Sequence, residues 1–212
     1  MRRCSPGLDP GANPAHIPGM VVVLASSSPR RSELLRRAGI EFEIQPSPAE
    51  ELHDASIPPE VLCEHNATLK ARAIAELRPE AAVIGSDTLV FIDGEPLGKP
   101  ADMDEARRML RRLAGRTHRV CTGVCVIFPG GAHRIFHETT EVRFRPLDDG
   151  EIDAYFQLVN PLDKAGAYGI QEHGERIVEG ISGSFDNVMG LPVGKLVTIL
   201  RQESGCGTAA HE

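Results

Sequence analysis

Several short stretches of the chain combine residue types suited to chemistry on a polyanion. The first is Leu24-Ala25-Ser26-Ser27-Ser28-Pro29-Arg30-Arg31, an apolar run that passes through a hydroxyl-rich turn into a helix start. Ser28 stands where an N-cap is expected and Pro29 at the first helical position, both favoured placements. The unpaired N–H groups of such an end bind anions. Two arginines in a first turn oppose the helix dipole by about 0.3–1 kcal/mol each, and departures of that kind tend to mark functional sites. A bound phosphate chain would turn the penalty into a gain, because arginine forks match phosphate oxygens. The plain alternative is a solvated basic helix start, consistent with the second pair, Arg36-Arg37, at the helix end.

The second stretch is Val83-Ile84-Gly85-Ser86-Asp87-Thr88, with an acid just past an apolar strand. Open α/β sheets bind ligands at such strand ends. Asp87 there can hold a divalent metal or accept a proton from an attacking water; taken alone, it also reads as a turn-forming residue. Lys99-Pro100 follows soon after, a cation on a stiffened loop. In Leu162-Asp163-Lys164-Ala165-Gly166-Ala167-Tyr168-Gly169-Ile170-Gln171 small residues beside charged ones suggest a closely packed loop. Gln171 offers both a donor and an acceptor, as reading a base edge requires; the small residues serve helix–sheet packing equally well. Glu50-Glu51 lie in a polar loop, as metal ligands or as surface carboxylates. The sequence has no zinc spacing among its histidines, no GxSxG elbow and no GxxxxGK[ST] loop.

The elements that must position these residues follow from hydrophobic patterning. Met20 to Ala25 reads as a buried strand, and Pro29 to Ala38 as a helix with Leu34 and Leu35 inward. A short strand over Phe42–Gln45 precedes a polar loop and a helix from Pro59 to Leu77 carrying Val61, Leu62, Leu69 and Ile74. Ala81 to Gly85 is a second buried strand, and Leu89 to Ile92 runs extended to an Asp93-Gly94 turn. Asp102 to Ala114 is amphipathic. Strands over His118–Phe128 and Arg134–Phe144 form a hairpin, followed by a helix (Asp148–Leu158), a strand (Arg176–Ile181) and a last helix (Val193–Leu200), with Gly183-Ser184 and Gly190-Leu191-Pro192 as turn punctuation. Early alternation followed by a hairpin indicates an α/β domain whose mixed sheet is flanked by helices.

Composition narrows the partners. Of 212 residues, 41% are hydrophobic and 25% charged, and 23 Lys plus Arg against 30 Asp plus Glu leave a formal charge of −7. That balance argues against a nucleic-acid polymer, whose binders carry a basic footprint, but leaves room for a small anion with local cations around it. No stretch approaches the ~20 consecutive apolar residues of a membrane span. Seven Phe, two Tyr and no Trp make the core aliphatic and base stacking a poor fit. Cys4, Cys63, Cys121, Cys125 and Cys206 are odd in number and form no CxxC pair, which favours a reducing, cytoplasmic setting. Cys121 and Cys125 share a strand face and read as core residues. Residues 1–19 hold four prolines and three glycines and lack a signal-peptide apolar region; they read as a disordered leader or an upstream start. Residues 20–202 form the expected domain, with 203–212 a disordered tail.

Taken together, the motifs resemble the Maf family of nucleoside triphosphate pyrophosphatases. LASSSPRRSELL at 24–35, Glu50-Glu51, Lys70 in LKARA, VIGSDT at 83–88, LGKP at 97–100, GRTHRV at 115–120, DKAGAYGIQ at 163–171 and GLP at 190–192 stand in the family's order. The resemblance implies an elongated mixed, twisted sheet with a central nucleotide-binding cleft, of the Maf/inosine triphosphatase type. It implies hydrolysis of a nucleoside triphosphate, in this branch dTTP or UTP, to the monophosphate and pyrophosphate, with Mg²⁺ or Mn²⁺ as cofactor. By the same resemblance Asp87 is the catalytic acid, acting as general base and metal-side carboxylate, and Glu51 is the other metal-side position. Arg30, Thr88 and Gln171 match positions tied to pyrimidine choice. Ser26, Arg31, Lys70, Lys99 and Lys164 match polar or cationic positions around the phosphates. A homodimer is compatible with the family. The rival reading is a non-catalytic nucleotide-binding regulator of septum formation; the intact set Asp87, Lys70, Lys99 and Gln171 favours the enzyme.

Overall fold

A computed structural model of the protein describes residues 20–206; the expected leader, 1–19, and the segment 207–212 of the expected tail lie outside the described residues. A mixed sheet runs in the order β2-β1-β3-β5-β6-β7, with β4 added to β3. Its strands are β1 (Val21–Leu24), β2 (Glu43–Ile44), β3 (Ala81–Ile92), β4 (Glu95–Leu97), β5 (Thr117–Ile127), β6 (His133–Phe144) and β7 (Val178–Ser182). β1 is parallel to β2 and β3, and the remaining pairings are antiparallel. The helices are α1 (Pro29–Arg37), α2 (Pro59–Ala75), α3 (Met103–Leu113), α4 (Asp149–Phe156), α5 (Phe185–Met189) and α6 (Val193–Cys206).

Strand alternation divides the core between the two sheet faces. Val22, Leu24, Ala82 and Ile84 join the main cluster, which also takes in residues of α1, α3, α4 and α6. Val23, Ala25, Ala81 and Val83 instead pack with Ala67, Ala71 and Ile74 of α2 on the opposite face. Cys63, Phe91 and Cys121 continue that second layer, and the free thiols of Cys63, Cys121 and Cys125 are buried in it. The hydrogen bond with neighbouring Cys121, and then burial, push the Cys63 thiol upward, which keeps it protonated.

Several elements differ from the sequence expectation. β3 does not stop at Gly85: it continues to Ile92 because β5 pairs with it from Val83 to Phe91. Val61 points outward on α2, 53% exposed, while Leu62 is buried. The segment expected as turns around Gly183 and Gly190 contains the short helix α5, whose N-cap Ser184 accepts from the Asn187 N–H. α6 carries on past Leu200 to Cys206.

The alternation also dictates the site. Ala81, Val83, Gly85 and Asp87 face α2, whereas Ser86 and Thr88 face the other layer. β1 pairs with β3 only through Ile84, and β4 pairs only from Val90 onward. Between those points one edge of β3, around Ser86–Leu89, has no strand partner among the described residues. A cavity of about 770 Å³ opens at this gap and receives side chains from both faces.

Candidate active site

On the α2 side, Asp87 is 4% exposed at the cavity wall. One turn of helix supplies both of its partners, since Asn66 and Lys70 are four residues apart on α2 and so share a face. Lys70 Nζ lies 2.8 Å from Asp87 Oδ1 and 2.6 Å from Glu51 Oε1. Asn66 Nδ2 donates to Asp87 Oδ2 at 3.2 Å. The same amide closes onto the polar loop, donating to the Leu52 carbonyl at 3.1 Å and accepting from the Leu52 N–H at 2.8 Å. Asn66 therefore orients Asp87 and, through Leu52, fixes the neighbouring Glu51 within reach of Lys70. A polar group this buried is costly unless satisfied, and Asn66 spends both amide atoms on this junction.

On the other side, Arg31 gathers three chain segments. Its Nε donates to the Gly190 carbonyl at 2.9 Å, NH1 to Ser26 Oγ at 3.1 Å and NH2 to Thr88 Oγ1 at 3.1 Å. Burial lowers the Arg31 pKa, opposed by the charge of Asp87. Ser86 Oγ donates to the same Gly190 carbonyl at 3.0 Å. Gly190 has φ 108° at the end of α5, and a Cβ there would press on Thr88 Oγ1 and Arg31 Nε at 3.2 and 3.3 Å. Ser28 occupies the α1 N-cap without a side-chain capping bond, and Ser26 Oγ accepts from the Ser28 N–H instead. Among the described residues no side chain accepts from the first-turn N–H groups of α1, the arrangement that suits a phosphate.

Across the cavity, the loop 163–171 is held from beneath by both tyrosines of the chain. Tyr155 of α4 accepts from the Gly169 N–H at 3.2 Å and donates to its carbonyl at 3.4 Å. Tyr168 pairs with His118 Nε2 at 2.7 Å, and its ring meets those of His118 and Phe144 edge-on. Burial holds the His118 imidazole down at about 4 and pushes the Tyr155 hydroxyl up to about 12. Lys164 is 3% exposed, and its ammonium contacts the Asn160 carbonyl and the Asp163 and Glu172 carboxylates. Arg30 lies 4.0 Å from Asp163 across the opening. Desolvation of Asp163 is outweighed by Lys164, leaving its carboxyl below the usual range.

Ser26, Arg30, Arg31, Glu51, Lys70, Asp87, Thr88, Lys99, Lys164 and Gln171 all line this one cavity, while Glu50, paired with Glu51 in the sequence reading, is not in its lining. Their availability differs. Lys99 is exposed at the rim without an ion partner among the described residues, and Arg30 has one distant partner. Arg31 and Lys164 are engaged by the protein itself. Asn66 and Gly190 were not legible as site residues. The signal for Asn66 was a polar residue set within the stripe Leu62, Cys63, Ala67, Ala71 and Ile74 that α2 buries.

Glu51 and Asp87 are the carboxylates that converge, and among the described residues no group of three or more His, Cys, Asp or Glu forms a closed metal site. This donor set fits Mg²⁺, which uses one or two carboxylates together with substrate phosphates. No helix among the described residues is long and apolar enough to cross a membrane.

A family model described as "Maf-like protein" matches residues 21–203. A dTTP/UTP pyrophosphatase from Akkermansia muciniphila is 54% identical over 172 residues, covering 81% of this chain and 90% of the relative. One from Symbiobacterium thermophilum is 47% identical over 181 residues, covering 85% and 93%. Among solved structures, a HAM1 protein from Coxiella burnetii aligns with a TM-score of 0.52 at 21% identity, covering 86% of this chain and 99% of that one. That likeness concerns the fold.

Proposed function

The chain belongs to the Maf-like family, and from that premise we propose that it hydrolyses dTTP and UTP to the monophosphate and pyrophosphate. The observation that carries the reading is the Glu51–Lys70–Asp87 array at one wall of a cavity whose opposite walls hold the α1 N-terminus and Gln171. A triphosphate brings about four negative charges near pH 7, and a preorganised set of positive groups is what its hydrolysis requires. Lys99, Arg30 and the first-turn N–H groups of α1 are the groups open to the phosphate chain. Arg31 and Lys164 act from behind, by fixing Ser26, Thr88 and the loop 163–171.

Asp87 acts as the proton acceptor. Water attacks the α-phosphorus, the new P–O bond forms as the bond to the β-phosphate bridging oxygen breaks, and the water proton passes to the Asp87 carboxylate. Pyrophosphate leaves with the bond electrons. Hydrogen bonds from Lys70 and Asn66 fix both carboxylate oxygens, each of which retains a further lone pair for the water. Glu51 and Asp87 are the residues that would hold a divalent cation, and Mg²⁺ or Mn²⁺ bound there supplies Lewis-acid neutralisation of phosphate oxygens. No cysteine lines the cavity, and no hydrogen bond among the described residues joins His53 to one of the lining serines, so direct water attack is favoured over a covalent intermediate.

The test is incubation with dTTP, UTP, CTP and GTP in the presence of Mg²⁺ or Mn²⁺, with product identification. Monophosphate and pyrophosphate from the pyrimidine substrates are expected. Inorganic phosphate and a diphosphate would overturn the bond assignment. Tight binding without turnover would overturn the enzyme in favour of a nucleotide-binding regulator.

A further inference from the structure

Resting on the nucleoside triphosphate reading, we propose that Glu172 is a positioning residue for base selection. It locks the Gln171 amide so that the carbonyl oxygen is the group left to read the base. The site then takes a base that donates from its ring nitrogen, as uracil and thymine do from N3, ahead of cytosine, which accepts there.

Gln171 Nε2 donates to Glu172 Oε1 at 2.9 Å. A carboxylate only accepts, so whichever end of the amide faces it is the NH₂ end. The orientation of Gln171 is thus fixed by chemistry. Gln171 lines the cavity, and no described residue donates to its Oε1. Glu172 is itself held in place, because Oε2 lies 3.1 Å from Lys164 Nζ. The Lys164 ammonium is buried, with its other contacts to the Asn160 carbonyl and Asp163 Oδ1, both at 2.8 Å. Swinging Glu172 away would cost the buried Lys164 ammonium one of its two carboxylate partners. Gly169 closes the remaining space: a Cβ there would come within 3.0 Å of Lys164 Cε and 3.3 Å of Glu172 Oε1. The backbone of Gly169 is anchored in turn by Tyr155. The amide that meets the base therefore stands on an ion cluster built around the buried Lys164 ammonium, over a pinned backbone. A cytosine N3 brought to Gln171 Oε1 would set acceptor against acceptor, and sites built on one hydrogen bond reject the analogue that cannot make it.

The experiment measures binding by calorimetry with Mg²⁺ and α,β-methylene analogues of UTP, CTP and N3-methyl-UTP, whose α–β linkage cannot be hydrolysed. Wild type is expected to bind the uridine analogue at least about tenfold tighter than either of the others. In Glu172→Gln the residue at 172 can donate as well as accept, so Gln171 is free to turn over and the uridine:cytidine preference is expected to shrink several-fold, to within about threefold of unity. Wild type binding the N3-methyl compound as tightly as the uridine analogue overturns the acceptor assignment, whether or not the variant folds. An unchanged uridine:cytidine ratio in a Glu172→Gln protein with a native thermal midpoint overturns the role of Glu172. Selective uridine binding combined with no pyrophosphate release from UTP supports the inference and sinks the pyrophosphatase reading instead. Absence of any nucleotide binding overturns both.

Discussion

Gly85 of β3 lies so close beneath α2 that a Cβ there would sit 2.1 Å from the carbonyl oxygen of Ala67. The same helix rests on Gly123 of β5, where a Cβ would come within 2.4 Å of the Cys63 carbonyl carbon. Both obstacles are backbone and cannot rotate aside. This contact lowers α2 onto the sheet far enough for Asn66 and Lys70 to reach Asp87. Gly85→Ala is expected to destabilise the fold by about 3 kcal/mol and to reduce turnover in whatever protein remains folded. Urea unfolding monitored by circular dichroism checks the first effect; a midpoint equal to wild type would mean that α2 can lift without loss.

Asp87→Asn keeps the size of the side chain and removes the proposed proton acceptor. Turnover is expected to fall by about 10²–10⁴-fold, the usual contribution of general-base catalysis, with the circular dichroism spectrum unchanged. Near-normal turnover would assign the base to another residue.

Asn66→Asp and Asn66→Ala separate orientation from packing. An ionised Asp loses both donated bonds, to Asp87 Oδ2 and to the Leu52 carbonyl, but can still accept from the Leu52 N–H, whereas Ala makes none of the three. A loss of about 10–100-fold in kcat is expected for each, the range found when a partner that orients a catalytic or metal-binding group is removed. The near-isosteric Asp variant is expected to be no better than Ala. If it kept wild-type kcat, the amide donor would be irrelevant to Asp87.

Burial holds the folded-state His118 pKa at about 4, against about 6.5 in an unfolded chain. Between those values the unfolded chain binds a proton that the folded chain does not, so His118 causes stability to fall as pH drops from about 6.5 to about 4, with no further change above or below that window. The loss is on the order of 3 kcal/mol across the window. Urea midpoints at pH 7, 5.5 and 4.5 should fall more steeply for wild type than for His118→Gln. Parallel slopes would show that the proton is taken up elsewhere.

Gln171→Ala is expected to blunt discrimination between UTP and CTP more than it lowers the rate on UTP, measured as the ratio of kcat/KM values. An equal fall on both substrates would make Gln171 a phosphate-side or purely structural residue.

Much of this protein was legible in the chain. The apolar runs of β1 and β3, the Ser28-Pro29 helix start and the amphipathic α3 follow from local patterning, and the ordered motifs named the residues that line the cavity. Local rules carry such features because helix starts and buried strands depend on near neighbours. What each side chain does was decided by contacts between distant segments. Ser26, Thr88 and Gly190 come from three separate parts of the chain, and only the folded chain brings all three onto the Arg31 guanidinium. Asn66 looks like an ordinary helix residue until β3 and the polar loop close on it from two sides. The unbroken run of β3 through Asp87 needs β5 as a pairing partner, and the cleft itself exists because β1 ends and β4 begins at different points along that strand. The sequence by itself determined which groups are present and in what order; the tertiary structure alone decided which remain open to a ligand, because hydrogen bonds across long chain separations had already claimed the rest.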